Sequence, residues 1–173
     1  MLRRPARLLS SCLAALLLLA SADACATPGG SRLDRDEVRI LLQEHNRTRA
    51  QVGVRPLRWS PQVASSAQRW ADHLAGSSCR MRHSRGSGYG ENLFIGSANY
   101  YGVEDAAQAW AAERRLYRGG PLRQYNWAPS GHYTQMVWRD TRHLGCGVSE
   151  CDDMMIVVCH YEPKGNFLGR APY

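Results

Sequence analysis

Cysteine placement constrains this chain more than any other feature. Residues 1–26, "MLRRPARLLSSCLAALLLLASADACA", set three arginines ahead of an apolar run from Leu13 to Ala20, followed by small residues in A-x-A arrangements. That is the pattern of a secretory signal peptide, with cleavage after Ala24 or Ala26, and the run is too short for a stable bilayer-spanning helix. Lipidation at Cys25 is the rival, but Asp23 fits poorly in the small, apolar run such a site needs. Export places the remaining cysteines, Cys79, Cys146, Cys151 and Cys159, where disulfides persist. Four cysteines allow three pairings, and spacing does not choose among them. If "LGCGVS" and "MMIVVCHY" are neighbouring antiparallel strands joined through "ECDD", Cys146 and Cys159 face each other and Cys79 is left for Cys151. The absence of CxxC disfavours a zinc ribbon or a thioredoxin-like site.

A chain of 173 residues suits one domain plus a processed end. The formal charge of +7 becomes +5 once Arg3, Arg4, Arg7 and Asp23 leave with the signal peptide. Lys164 is the single lysine, and the arginines are scattered, which fits a solvated surface with some attraction to anionic cell surfaces. No motif for nucleic-acid recognition is present. No later stretch is apolar for long enough to cross a membrane, and a monomer is expected.

Residues 27–33 read as a short flexible lead, so the folded domain is expected over 34–173. "LDRDEVRILLQEHNRTRAQVG" pairs Asp34 as N-cap with Glu37 three residues on and runs to Gly53, predicting a first helix with His45 on its inward face as a satisfied core histidine. "WSPQVASSAQRWADHLAG" predicts a second, with Ser60 as cap, Pro61 in the first position and His73 on the solvent side. Residues 79–99 read as loop around a short strand at 91–95. In "VEDAAQAWAAERRLY", Val103, Ala106, Trp110 and Tyr117 form an apolar stripe that includes Glu113. A carboxylate there must be paired, protonated or bound, so Glu113 is either an ordinary ion-pair partner or a cleft carboxylate. "SGHYTQMVW" predicts a short helix capped by Ser130, with His132 in its first turn, where the positive helix end keeps the imidazole neutral. Gln135 and Met136 share its side, while Tyr133 and Val137 suit packing.

"GHYTQMVW" (131–138) and "HYEPKGNFLG" (160–169) resemble the two signature motifs of the CAP superfamily, the cysteine-rich secretory protein, antigen 5 and pathogenesis-related 1 group. "HNRTR", "LRWSPQVASSAQRWA", "CRMRHS" and "YGENL" follow that family's order over residues 38–170. The resemblance implies an α+β fold, a three-layer α-β-α sandwich with a small antiparallel sheet between helices, and Cys79–Cys151 and Cys146–Cys159 disulfides. It also implies a cleft tetrad of His83, Glu91, Glu113 and His132, with the two histidines able to hold zinc or another divalent cation and the glutamates orienting the rings or holding water. By the same comparison two disulfides are expected where plant members have three, and a domain without the cysteine-rich tail of the venom and sperm members is expected. The functions implied are a secreted or periplasmic binding module for a sterol, other lipid or cell-surface ligand, with antimicrobial or host-directed action and a groove near Tyr100, Tyr101 and Gln135. The alternatives are a metal-dependent hydrolase with Glu91 or Glu113 as base, and a structural extracellular interaction domain.

Overall fold

The computed structural model describes residues 30–173, so the signal peptide and Cys25 lie outside the described residues. The order is α1 (Arg35–Ala50), β1 (Arg58–Trp59), α2 (Pro61–Ser77), β2 (Gly90–Ser97), α3 (Val103–Ala112), a 3-10 turn (Glu113–Leu116), α4 (Gln124–Trp127), α5 (Gly131–Met136), β3 (His143–Cys151) and β4 (Met154–Glu162). Both long helices start where their caps predict. Asp34 accepts a 2.8 Å bond from Glu37 N while Glu37 Oε2 accepts one of 2.9 Å from Asp34 N. Ser60 Oγ accepts from Val63 N, with Pro61 in the first position.

The strands line up as β1-β3-β4-β2. β3, β4 and β2 are antiparallel, as expected, whereas β1 runs parallel to β3. Its direction is set by its neighbours, because two extended residues lead straight into the Ser60 cap, tied to the sheet edge by Arg58 N to Arg142 O and Ser60 N to Leu144 O, each 2.9 Å. Strand alternation divides the core in two. Leu93, Ile156 and Val158 pack against Ala67, Ala71 and Leu74 of α2, while Leu144, Cys146, Val157, Cys159 and Tyr161 pack beneath α1, α3 and α5. This is the three-layer α-β-α sandwich. In β3 the face toward α2 is glycine, and a Cβ on Gly145 would lie 2.0 Å from Ala64 N. The helix backbone therefore rests directly on the strand.

Cys146 and Cys159 are directly opposed across β3 and β4 and form one disulfide; Cys79–Cys151 is the other, closing the loop after α2 onto the end of β3. The lead is not free at its end. Leu33 is fully buried in the α1/α3 core, and Ser31 Oγ donates to Cys146 O at 2.9 Å. Leu33 has the apolar surface to fill that core, and Ser31 supplies the bond that holds it there.

Two buried polar assemblies fix the site's supports. Arg49, fully buried, donates to the carbonyls of Arg55, Met136, Trp138 and Thr141, tying the end of α5 and the chain after it to α1 and the loop that follows α1. His45 Nδ1 donates to Leu41 O at 2.7 Å, which leaves Nε2 to accept from Tyr161 Oη at 2.8 Å. Tyr161 Oη accepts in turn from Asn92 Nδ2, which also donates to His132 O. His45 is thus the satisfied core histidine, and burial brings it down to about 4. His73 is exposed.

Candidate functional site

The α5 helix is one and a half turns long and is held at its start from outside. Ser130 occupies the N-cap position, yet its hydroxyl donates backward to Asn126 O. The cap is Glu113, standing where α3 tightens into the 3-10 turn. Its Oε2 accepts from His132 N at 3.0 Å and Tyr133 N at 3.3 Å, and its Oε1 accepts from His132 Nδ1 at 2.6 Å. The carboxylate therefore meets the positive helix end and orients the imidazole together. Trp110 lies under the ring, with centroids 6.2 Å apart and planes within 27°. The apolar stripe of α3 presents Glu113 to a helix end and a histidine, so its partner is not an arginine.

A second carboxylate–imidazole pair is built from β2. His83, in the loop before the strand, donates from Nδ1 to Glu91 Oε1 at 2.6 Å. Ser84 N donates to the same carboxylate, and His160 Nε2 donates to Oε2 at 2.9 Å. Burial works to push the Glu91 carboxyl up, but the bonds from His160, His83 and Ser84 outweigh it and bring it to about 2. Glu91 in return raises His83 above the ordinary imidazole value.

The two pairs meet at one opening. A cavity of about 130 Å³ is lined by His83, Glu91, Asn92, Trp127, His132 and Asn166, among others, with Glu113 behind His132. The sequence reading missed His160. It is opposite Glu91 in the β2/β4 register, and strand alternation places it on the face of Ile156 and Val158. A histidine two residues along a buried strand face was the available signal. The ligand-groove residues lie elsewhere. Gln135 is buried, its Oε1 accepting from Gly165 N at 3.0 Å; Tyr101 packs edge-on against Phe94; Tyr100 is exposed.

With both Nδ1 atoms tied to carboxylates, His83 and His132 each keep an Nε2 with no protein hydrogen-bond partner among the described residues. A carboxylate behind an imidazole is the arrangement that fixes a ligating tautomer. The donor set therefore fits a divalent cation held by two imidazoles and water, a weak and open site. Among the described residues no group of three or more His, Cys, Asp or Glu side chains is placed to hold a metal ion.

The family model for CAP, the cysteine-rich secretory protein family, matches residues 42–161. The chain belongs to the CAP family. This CAP chain is 41% identical over 133 residues to pathogenesis-related protein 1C of Nicotiana tabacum, covering 76% of its own length and 78% of the relative's. It is 38% identical over 162 residues to pathogenesis-related protein PRMS of Zea mays, covering 92% and 96%. Among solved structures, NaASP2 with Zn2+ superposes with a TM-score of 0.72 at 28% identity, over 82% of this CAP chain and 86% of that one. BmVAL-1 gives a TM-score of 0.72 at 27% identity, over 83% and 84%. The sandwich of this chain is accordingly the CAP fold, in a member resembling pathogenesis-related 1 proteins.

Proposed function

We propose that this CAP protein is secreted and acts as a non-enzymatic binding module whose cleft holds a divalent cation between His83 and His132. The observation that carries the reading is the matched pair of carboxylate-backed imidazoles at one opening, each with Nε2 unused. A zinc-containing structure of a relative with the same fold, 28% identical, supports the choice of metal. Two disulfides support secretion. When bound, the cation would offer a positive centre to an oxygen-bearing ligand; the protein's part is to hold both rings in the ligating tautomer.

Binding is favoured over turnover by the state of the carboxylates. Glu91 already accepts from two imidazoles and a backbone N–H, and Glu113 from one imidazole and two backbone N–H groups. A carboxylate has about four lone-pair sites. With most of those sites already taken, each glutamate has little capacity left to act as a base toward water, which weighs against the hydrolase reading.

The test is calorimetric titration of zinc into the mature domain and into a His83→Ala, His132→Ala variant. Saturable binding in the native protein that disappears in the folded variant is the expected result. Absence of binding to folded native protein overturns the cation site, and unchanged binding in the variant moves it elsewhere.

A further inference from the structure

Glu91 has a second side. Between α2 and the loop after His83 lies another cavity, of about 230 Å³, lined by Ser66, Arg69, Ser84, Arg85, Ser87 and His160 among others. It shares no lining residue with the cleft. His160 is fully buried, stacked on Tyr89 with ring centroids 5.4 Å apart, and its Nε2 faces Glu91 Oε2 at 2.9 Å. A carboxylate only accepts, so Nε2 carries a proton, and in that tautomer Nδ1 is the acceptor. That Nδ1 is buried and has no hydrogen-bond partner among the described residues. Leaving such an atom unsatisfied costs its desolvation, and buried polar atoms are rarely left so.

The other walls show what kind of group is missing. Ser84 and Ser87 hydroxyls bond each other at 3.1 Å, and each retains capacity for a further partner. Among the described residues Arg69 hydrogen-bonds to the Ser65 hydroxyl alone, and neither Arg69 nor Arg85 lies within 4.0 Å of a carboxylate. The cavity thus joins a buried acceptor, hydroxyl walls and two guanidinium groups without an acid partner. An occupant must bring an O–H donor for Nδ1 and an anionic acceptor for the guanidiniums. The volume, below the roughly 300 Å³ at which drug-sized pockets begin, suits one sugar ring.

We propose that this cavity is a binding site for a uronic acid, with a ring hydroxyl donating to His160 Nδ1 and the carboxylate held by Arg85 and Arg69. The site is independent of the cation reading, since Glu91 separates the two cavities. Its test therefore runs with a chelator present.

D-galacturonate is titrated into the mature protein by calorimetry, beside galactose, which lacks the anion, and acetate, which lacks the hydroxyls. The His160 imidazole nitrogens are followed by NMR. Galacturonate is expected to saturate, to exceed both half-probes by tenfold or more, and to shift the Nδ1 resonance. Arg85→Gln, at an exposed position that leaves folding intact, is expected to weaken binding by about tenfold or more, the scale of one charge-assisted hydrogen bond. Tetragalacturonate binding more tightly than the monomer assigns a polysaccharide segment as the source; equal binding assigns the free sugar acid. Absence of saturable binding, affinity no better than acetate or galactose, indifference to Arg85→Gln, or an unmoved Nδ1 resonance overturns the proposal and leaves solvent as the cavity's occupant.

Discussion

Replacing Glu113 by alanine removes three acceptor bonds at once: one to His132 Nδ1 and two to the first backbone N–H groups of α5. An N-terminal cap is worth about 1 kcal/mol, and a hydrogen bond to a charged group about 1.5–3 kcal/mol. The side chains are 23% exposed for Glu113 and 36% for His132, so water replaces part of what is lost. A net destabilisation of about 2 kcal/mol follows, which in a domain of this size lowers Tm by about 4–8 °C. Thermal unfolding at neutral pH, followed by circular dichroism, reads it directly. Glu113→Gln separates the two duties. Its amide oxygen still accepts from a backbone N–H, so about half of the stability is expected to return. The negative charge behind His132 does not return, and zinc affinity is expected to stay about 10–100-fold below native in both variants. A Glu113→Ala protein within about 0.5 kcal/mol of native stability would refute the capping role, since substitutions away from structural features fall in that range. Full zinc affinity in Glu113→Gln would show that the carboxylate does not orient the ring.

Three further outcomes follow from the supports of the site. Arg49→Met is expected to destabilise by about 3 kcal/mol or more, because it strands the carbonyls of Arg55, Met136, Trp138 and Thr141; urea denaturation measures it. Gly145→Ala sets a methyl 2.0 Å from Ala64 N and should cost about 1–3 kcal/mol by the same assay, because a helix backbone, rather than a flexible side-chain tip, has to move. His45 is held neutral down to about 4, against 6.5 when unfolded. The unfolded chain therefore binds the extra proton first, and stability is complete above about pH 6.5 and falls as pH drops toward 4. His45→Gln should flatten that part of the stability–pH profile.

Local rules carried the sequence reading as far as local forces decide the structure. Asp34 with Glu37, and Ser60 with Pro61, started α1 and α2 where capping chemistry requires, and the 3.6-residue period of α3 exposed Glu113 as out of place on an apolar stripe. The same logic misassigned the cap of α5. Ser130 is the right residue type in the right position, but Glu113 outcompetes it from another element by bringing a full negative charge to the helix end. Leu33 is the parallel case in the lead, a single apolar residue whose burial depends on a core assembled from α1 and α3. His160 makes the point chemically: its neighbour Glu91 lies 69 residues away, and only the β2/β4 register brings them together. Periodicity also leaves His83 and His132 unrelated. The family resemblance did associate them, because a set of motifs in order carries the long-range contacts of a fold, which no single period contains. What it did not carry was the use of each carboxylate. Glu91 and Glu113 have the residue types of catalytic bases, and which N–H donors each carboxylate already serves is a property of the assembled contacts that no sequence period contains.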